Sequence, residues 1–426
     1  MKLKRLLLRY YPPGILLEYA KADGTRRTKS LDLLSLTATT DTASLAAGLV
    51  EQEPLLSRSR EGRIRALLDK LVARAAADAV PVEYALSKVL RTHILPLTNC
   101  EFNKDGSRVV SGSYDRTARV YETGTGDEVA VLEGHGNVVY AVAFNNPYGS
   151  LVATGAFDKT ARLWNAGTGE CGAVLEGHGK EVVAVKFNPS SSLLATGSME
   201  PVAIVWDVGT GSPLYTLDDH AGEVFALAFS TDGSLLLTGS FDSTVKVWDV
   251  RDGSLVHTFA GHSKEISACS FNYASDALLT GSIDGTARVW DLGQRSCMAL
   301  LDQHSDEVLD AVFSPSGSRI ATVSADGTGI TYEWDTLTPL ATLSGHTSEV
   351  STASFNPAGN TLLTSSMDAT ARLWDVDSGA LLQTLDGHSQ EIFSSQFNYA
   401  GDTIITASQD NTCRIWSAHA HGNNNI

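Results

Sequence analysis

Sulfur-containing side chains and long apolar runs are both scarce in this 426-residue chain. It holds only five cysteines, and no two of them stand at the Cys-x-x-Cys spacing of a zinc or redox site. Scattered cysteines are typical of reduced thiols in a cytosolic core, which excludes a disulfide framework. The apolar run near the start, Leu6–Leu8, is too short for a signal peptide or a membrane span. We therefore expect a cytoplasmic protein with no metal site, no cofactor and no membrane insertion.

Basic residues are also in the minority, and they are unevenly distributed. The chain has 32 Lys and Arg against 49 Asp and Glu, a net charge of −17. Residues 1–92 hold 16 basic and 10 acidic residues, a net +6, so the remainder carries −23. Binding to a phosphate backbone needs clustered Lys and Arg, which makes nucleic acid an unsuitable partner for the acidic part. Opposite charges on the two parts indicate two surfaces with different partners.

What the sequence does contain is one histidine-centred module repeated eight times. The histidines stand 42 or 43 residues apart from His93 to His388. An acidic residue follows each histidine, and six residues after the acid comes an aromatic residue. A period of this length with Gly-His and Trp-Asp signatures is typical of the four-stranded blades of WD-type propellers. The sequence predicts a mainly β protein, an eight-bladed WD-type β-propeller preceded by a small N-terminal α+β domain.

We place the α+β domain at residues 1–77, a linker at 78–81, the propeller at 82–417 and a polar tail at 418–426. Alternating apolar residues in the first domain predict β-hairpins, followed by one helix over 42–53 and a second around Ile64. The last repeat lacks its final strand after Trp416, whereas residues 82–90 stand directly before the first repeat. Because WD repeats straddle blades, we expect residues 82–90 to close the ring and leave no open edge.

Each repeat combines a histidine, an acid and, two positions before most of the acids, a serine, which superficially suggests a Ser-His-Asp relay. A nucleophile occurs once in an enzyme and needs an oxyanion hole, so eightfold repetition opposes catalysis. The resemblance to WD repeats implies instead a buried structural chain running Trp–Ser–His–Asp in each blade. The predicted tetrad residues are His135, Asp158, Trp164, His178, Ser198, Trp206, His220, Ser240, Asp242, Trp248, His262, Ser282, Asp284, Trp290, His346, Ser366, Asp368, Trp374, His388, Ser408, Asp410 and Trp416. Weaker blades are expected where Ala156 lacks the hydroxyl, Glu200 replaces the aspartate, and Tyr121 and Tyr332 replace tryptophan.

A second repeated feature is a carboxylate three residues after six of the histidines, followed two positions later by a mainly apolar column. By analogy with other propellers, this column and the residue before each turn acid face one end of the ring. Apolar groups beside carboxylates suit a basic, partly apolar partner segment. Alternatively, the glutamates only cap loop backbone and the apolar groups only pack neighbouring blades. The candidate binding residues at this end are Tyr140, Phe225, Phe241, Leu309 and Phe393.

The basic N-terminal domain supplies the other candidate surface. Its cations either face solvent without a partner or bind an acidic one. We assign partner binding there, as a hypothesis, to Arg9, Arg26, Arg27, Arg63 and Arg74.

The N-terminal stretch KLKRLLLRYYPPGILLEY, together with HILPLTN, GSYDRTARVY and GHGNVVYAVAFNNPYG, resembles the family of outer-row dynein assembly factors with WD repeats. The resemblance covers the whole chain, and ordinary WD proteins lack the N-terminal stretch. It implies a non-enzymatic cargo adaptor that links preassembled outer-arm dynein to a subunit of intraflagellar transport complex B for import. It also implies a location in the cytoplasm, the basal body region and the cilium or flagellum. We expect the adaptor to be a monomer.

An alternative function comes from the run Leu237–Asp242 with Trp248–Arg251. This run resembles the box by which some WD proteins join cullin-type ubiquitin ligases as substrate receptors or scaffolds. Most of the box is repeat consensus, so only Arg251 adds information to this alternative.

Overall fold

The computed structural model describes residues 2–21, 24–78, 80 and 82–419, and it divides into two units, residues 1–82 and 83–426. The predicted linker lies at this division, although residues 79 and 81 fall outside the described part. Most of the predicted polar tail, residues 420–426, also lies outside it.

The first unit combines a three-stranded antiparallel sheet with two helices. Its strands are β1 (Lys2–Arg9), β2 (Gly14–Ala20) and β3 (Arg26–Asp32), in the order β1-β2-β3, and its helices are α1 (Thr42–Gln52) and α2 (Glu61–Asp78), with a 3₁₀ turn at Arg58–Arg60 before α2. Ile15 and Leu17 of β2 share one core with Ile64, Leu68 and Leu71 of α2. The apolar stripe of α2 thus covers one face of the sheet. No helix in the described residues is long and apolar enough to span a membrane.

The second unit consists of eight four-stranded antiparallel sheets, the blades. Blade 1 has β5 (Leu97–Phe102), β6 (Arg108–Ser113), β7 (Thr117–Glu122) and β8 (Glu128–Glu133), and blade 2 has β9 (Val139–Phe144), β10 (Leu151–Ala156), β11 (Thr160–Asn165) and β12 (Cys171–Glu176). Blade 3 has β13 (Val182–Phe187), β14 (Leu193–Ser198), β15 (Ala203–Asp207) and β16 (Pro213–Leu217), and blade 4 has β17 (Val224–Phe229), β18 (Leu235–Ser240), β19 (Thr244–Asp249) and β20 (Leu255–Ala260). Blade 5 has β21 (Ile266–Phe271), β22 (Ala277–Ser282), β23 (Ala287–Asp291) and β24 (Ser296–Leu301), and blade 6 has β25 (Val308–Phe313), β26 (Arg319–Ser324), β27 (Thr328–Glu333) and β28 (Pro339–Ser344). Blade 7 has β29 (Val350–Phe355), β30 (Thr361–Ser366), β31 (Ala371–Asp375) and β32 (Leu381–Leu385), and blade 8 has β33 (Ile392–Phe397), β34 (Thr403–Ser408), β35 (Cys413–Ala418) and β4 (Tyr84–Leu90).

The innermost strands of successive blades pack side by side, and β33 of the last blade packs against β5 of the first. The chain is therefore an eight-bladed propeller, as the repeat count predicts. The second strand of each blade is almost fully buried, because neighbouring blades cover both of its faces. Close approach between blades requires glycine near the end of this strand. A Cβ on Gly239 would lie 2.8 Å from Cγ2 of Ile266 in the next blade.

The eighth blade joins the two ends of the repeat region. β4 pairs antiparallel with β35, with Leu90 opposite Cys413 and Tyr84 opposite Ala418. The Tyr84 hydroxyl also donates to the Gly401 carbonyl at 2.6 Å, and its backbone N–H donates to Gln383 Oε1 at 2.9 Å. A segment that precedes the first repeat thus supplies the outer strand of the last blade.

The third blade is regular, although Glu200-Pro201 replaces the usual turn. Its strands β13 to β16 form a complete four-stranded sheet in the same order as the other blades. Pro201 lies in the turn between β14 and β15, where its missing N–H removes no ladder hydrogen bond.

The closing strand can be tested with two truncated proteins that differ by ten residues. We expect a protein lacking residues 1–82 to stay soluble and folded, because β4 still pairs with β35. A protein lacking residues 1–92 would expose the outer edge of β35 and the apolar surface under Leu90, and should aggregate. Soluble yield and thermal melting compare the two. Equal behaviour of both proteins would show that β4 is dispensable.

Candidate functional site

A chain of hydrogen bonds crosses each blade beneath one end of the propeller. In blade 4, Trp248 Nε1 donates to Thr238 Oγ1 at 2.9 Å. The Thr238 hydroxyl is 2.8 Å from His220 Nε2, and His220 Nδ1 is 2.8 Å from Asp242 Oδ2. Because the indole can only donate, the threonine proton goes to Nε2 and the imidazole donates through Nδ1. The chain is complete only with a neutral histidine.

The aspartate at the end of this chain ties together two loops. Asp242 Oδ1 accepts from the Thr244 backbone N–H at 2.8 Å and from the Thr244 hydroxyl at 2.6 Å. Its Oδ2 accepts a second bond, from the Ala221 backbone N–H, at 2.9 Å. All eight blades repeat the histidine contacts. The other histidine–hydroxyl pairs are His93–Ser111, His135–Thr154, His178–Thr196, His262–Thr280, His304–Thr322, His346–Thr364 and His388–Thr406.

The hydroxyl predicted for this chain is wrong by two residues. The serines proposed as tetrad members were Ser198, Ser240, Ser282, Ser366 and Ser408, whereas the bridging hydroxyls belong to Thr196, Thr238, Thr280, Thr364 and Thr406. Ser240 instead accepts from the Asp242 N–H at 3.1 Å and donates to the Gly222 carbonyl at 2.9 Å. Residues two apart in a strand share a face, so alternation cannot separate Thr238 from Ser240. The threonine is the bridging residue because its hydroxyl lies deeper in the blade, where the indole reaches it.

The blades in which a weaker tetrad was expected keep most of the hydrogen bonds between the tetrad residues. Thr154 completes blade 2, so Ala156 leaves no gap in its tetrad. Glu200 reaches His178 at 2.8 Å with its longer side chain. Tyr121 and Tyr332 depart further, because their hydroxyls contact Thr92 at 2.6 Å and Gln303 at 2.9 Å in loops. In these two blades a phenol replaces the indole, and besides its loop contact it interacts with the bridging hydroxyl, that of Ser111 or Thr322.

Burial and hydrogen bonding together set the charge state of each pair. Burial lowers the pKa of His262 below its ordinary value and outweighs the opposite effect of Asp284. Burial alone would raise the pKa of Asp284, but hydrogen bonds from Thr286, the Ser263 N–H and His262 lower it to about 2. The same directions hold in blades 2, 3, 7 and 8. In these five blades a neutral imidazole therefore lies beside an ionised carboxylate.

Removing a bridging hydroxyl should destabilise the protein. Thr280→Val leaves His262 Nε2 and Trp290 Nε1 without the partner they hold at 2.8 and 2.9 Å. We expect a loss of about 1–3 kcal/mol in the free energy of unfolding, measured by urea denaturation. Thr342→Val, at an exposed strand position, is the matched control and should change little. Equal stability of the two variants would contradict a structural role for the chain.

The histidines should also make the protein acid-sensitive. Because the folded pKa values of five tetrad histidines, those of blades 2, 3, 5, 7 and 8, lie below the ordinary 6.5, the unfolded chain takes up protons first as the pH falls. Protonation then favours the unfolded state, so the free energy of unfolding should decrease as the pH drops below 6.5. A second loss is expected between pH 3.8 and about 2, where Asp284 is ionised only in the folded state. Urea denaturation across this range measures both losses.

A matched pair of variants assigns the first loss to the tetrads. His262→Gln should reduce the slope of stability against pH, whereas His419→Gln, at an exposed position, should leave it unchanged. Stability that rises toward acid would be inconsistent with neutral tetrad histidines.

Above this network, four aromatic side chains form a continuous row across blades 2 to 4, the aromatic row. Phe157 stacks on Tyr140 with ring centroids 5.4 Å apart, and Phe225 stacks on Phe241 at 5.8 Å. Tyr140 meets Phe225 edge to face at 6.5 Å, across blade 3, where Val183 holds the equivalent position. Phe241 is 37% exposed. Three of the five predicted binding residues at this end are thus brought together.

The remaining two, Leu309 and Phe393, lie further around the ring. Both line a cavity of about 430 Å³ in the central channel, which Tyr140 and Phe225 also line. In six of the eight repeats, the backbone N–H of the residue before the turn acid donates to the main-chain carbonyl of the repeat's glutamate, as Phe241 does to Glu223. The main chain of that glutamate therefore holds the turn, and its side chain is half-buried beside the row.

The channel also contains three charged residues that sequence reasoning missed. Asp310 accepts from the backbone N–H groups of Ala353 at 3.0 Å and Ala311 at 2.8 Å, and burial raises its pKa to about 6. Burial likewise raises the pKa of Glu101, and Lys186 partly opposes the shift of both acids. A signal was present, because Asp310 stands in a repeat column otherwise filled by alanine, serine, threonine and asparagine.

The structure does not bring the five candidate arginines of the N-terminal unit into one patch. Arg9 is held by Asp32 at 2.5 Å, and Arg74 by Asp78 at 2.9 Å, so both have internal partners. Arg26, Arg27 and Arg63 are exposed. Arg26 and Arg27 are adjacent in β3, so their side chains project to opposite faces of the sheet.

The repeat pattern matches a known family. The model of the WD domain, G-beta repeat, matches residues 85–122, 126–165, 169–207, 211–249, 253–291, 295–329, 337–375 and 379–417. These segments cover well over half of the chain. The chain belongs to the WD40 family. The first WD40 segment runs from β4 of blade 8 into β7 of blade 1, which is why the repeat and blade boundaries differ.

Comparison with individual proteins shows a more specific similarity than the WD40 family. The chain is 53% identical over 148 residues to the mouse protein named Dynein assembly factor with WD repeat domains 1, and 52% identical to the human protein of that name. Each match covers 35% of this chain and 35% of the relative. The matched 148 residues therefore span about a third of the length of those proteins. Among solved structures, the computationally designed protein Ika8 aligns with a TM-score of 0.69 and 31% identity, covering 77% of this chain and 98% of Ika8.

Proposed function

We propose that this protein is a non-enzymatic cargo adaptor that couples preassembled outer-arm dynein to a subunit of intraflagellar transport complex B for import into cilia or flagella. The name of its relatives, dynein assembly factors, supports the dynein part of this proposal. In this role the protein works in the cytoplasm, at the basal body region and in the cilium, and acts as a monomer.

The single observation that carries the proposal is the presence of two dissimilar units, since an adaptor must hold cargo and carrier at once. Residues 1–92 have a net charge of +6 and the rest of the chain −23. Two parts of opposite net charge favour different partners, because complementary electrostatic potentials steer association and suppress binding of the wrong partner. We assign the carrier to the N-terminal unit and the dynein-side partner to the propeller.

The aromatic row supports the assignment of cargo to the propeller. Interface energy concentrates in a few large, partly buried aromatic side chains, and Tyr140, Phe225 and Phe241 pack against one another in a row. A partner that meets a preorganised row loses little side-chain entropy on binding. The half-buried glutamates of blades 3 and 4, Glu181 and Glu223, favour a basic, partly apolar segment.

The repeated Ser-His-Asp resemblance is assigned a structural role in this proposal. Thr238 Oγ1 is buried and receives the Trp248 indole proton, so it is engaged in the tetrad and not aimed at a pocket. The ubiquitin-ligase alternative rests on Arg251, whose side chain forms an ion pair with Asp249 of its own blade at 2.5 Å. The relatives are named for dynein assembly, which does not support the ubiquitin-ligase alternative.

Pull-downs from ciliated-cell cytoplasm test the division of partners. Phe225→Ala with Phe393→Ala should lose dynein subunits several-fold and keep the transport complex, because the variants remove apolar contact area only from the propeller end. Charge reversal at Arg26 and Arg27 should weaken only recovery of the transport complex, and more strongly at low salt.

Two surface substitutions serve as controls for these variants. Tyr148→Ala removes a 71%-exposed aromatic residue outside the aromatic row, and Arg295→Glu reverses an exposed charge on the propeller. Neither should change recovery of either partner. Loss of both partners by one variant, or of the opposite partner, would overturn the division.

A further inference from the structure

Strand β3 of the N-terminal unit is an exposed sheet edge. It pairs with β2 on one side, and no other described strand pairs with it. Six of its seven residues are exposed, and Leu31 is half-buried. An exposed edge presents main-chain N–H and C=O groups that can pair with another chain.

This edge differs from every other sheet edge in the described chain. The pairing of β2 with β3 runs over seven consecutive residue pairs without a register shift. All other edge strands, namely β1 and the innermost and outermost strand of each blade, carry a register shift. Such irregularities twist a strand and block addition of a further one. Only β3 keeps a regular edge.

The register shows which main-chain groups point outward. The Leu33 N–H donates to the Pro13 carbonyl, and the Lys21 N–H donates to the Thr25 carbonyl. In an antiparallel pair, hydrogen-bonded residues alternate, so odd-numbered residues from Thr25 to Leu33 bond to β2. The N–H and C=O groups of Arg26, Thr28 and Ser30 therefore face the open edge.

The side chains along the edge are basic on both faces of the sheet. Arg26 projects to the uncovered face, where Glu18 lies 3.5 Å from it. Arg27 and Lys29 project to the face that carries the helices, and Lys29 reaches Glu53 at 2.6 Å. A strand added beside β3 would run between these cations, whichever way its side chains alternate.

We propose that β3 binds an extended acidic segment of a partner protein by strand addition. Main-chain hydrogen bonds to Arg26, Thr28 and Ser30 supply the pairing, and the flanking cations select carboxylates in the incoming strand. A second copy of this chain is a poor occupant, because antiparallel self-pairing centred on Lys29 would set two lysines opposite each other. Arg26 and Arg27 project to opposite faces of the sheet and therefore do not form a single basic patch. This placement suits an added strand, because the side chains of such a strand also alternate between the two faces.

This inference rests on the proposed function only in treating the N-terminal unit as the carrier side, and it names the chemistry of the segment that the carrier would supply. Its test uses a peptide and not the transport complex. Peptide binding without recovery of the complex would uphold the strand addition and reject the carrier role.

The probe is a fluorescein-labelled nine-residue peptide of alternating glutamate and valine, titrated against the full-length chain by fluorescence anisotropy. We expect saturable binding that a fully N-methylated peptide of the same sequence does not show, because N-methylation removes the donors and keeps the charge. Hydrogen exchange should slow at the amides of Thr28 and Ser30 on binding, whereas the Lys29 amide, already bonded to β2, should not change.

Thr28→Pro removes one outward N–H without breaking the pairing with β2, since proline is tolerated at the outer side of an edge strand. It should weaken peptide affinity by about tenfold or more, while the matched variant Thr28→Val keeps the N–H and should bind like the parent. Arg26→Glu with Arg27→Glu should abolish binding of the acidic peptide and permit binding of a lysine–valine peptide.

Several outcomes would overturn strand addition. One is full affinity of Thr28→Pro at an unchanged melting temperature, and another is equal binding of the N-methylated peptide. A single-stranded DNA that binds as tightly as the peptide, to both the parent and Thr28→Pro, would show a purely electrostatic surface. Concentration-dependent dimerisation that Thr28→Pro abolishes would assign the edge to a second copy of the chain.

Discussion

The propeller depends on the mutual burial of neighbouring sheets. The second strand of each blade has buried side chains on both faces, so no blade is stable with a face open to water. In a linear stack the two terminal blades would each expose such a face, whereas a ring exposes none. The ring in turn depends on β4, which completes blade 8 from a segment ahead of the first repeat. Its contacts with Gly401 and Gln383 bind the start of the propeller to its end.

Tight packing leaves the polar groups of the tetrads no access to water, and this explains their regularity. Each indole, hydroxyl, imidazole and carboxylate finds its partner within the same blade, at 2.7 to 3.1 Å. A buried network of this kind is stabilising only when every member is satisfied. The network also fixes the loops on which the aromatic row stands, because Asp242 bonds both the turn after β18 and the loop before β17. The tetrads therefore hold the loops at the end of the propeller that carries the aromatic row.

The 42-residue period of the sequence predicted the parts of the structure that repeat. It could not decide between two features that recur equally often, nor reveal a feature that occurs in one repeat only. Blade number and the strand segments follow from the 42-residue period. The bridging hydroxyl did not, because Thr238 and Ser240 recur equally often and lie on one face of β18. The placement of Arg26 and Arg27 on opposite faces follows from strand alternation, once β3 is recognised as regular. Asp310 was missed for the opposite reason, since it occurs in one repeat only, and its partners Ala311 and Ala353 come from two blades.

The two candidate surfaces differ in the physical means by which they would bind a partner. The aromatic row offers side chains of defined shape, so its affinity depends on which apolar groups a partner presents, and salt has little effect on such contacts. The β3 edge offers mainly main-chain groups, which pair with almost any extended segment, and it must obtain selectivity from charge. Because charge acts through exposed cations such as Arg26 and Arg27, this selectivity is screened by salt. In the proposed division of partners, higher ionic strength would release the edge-bound segment without disturbing the aromatic row, because only the edge depends on exposed charge.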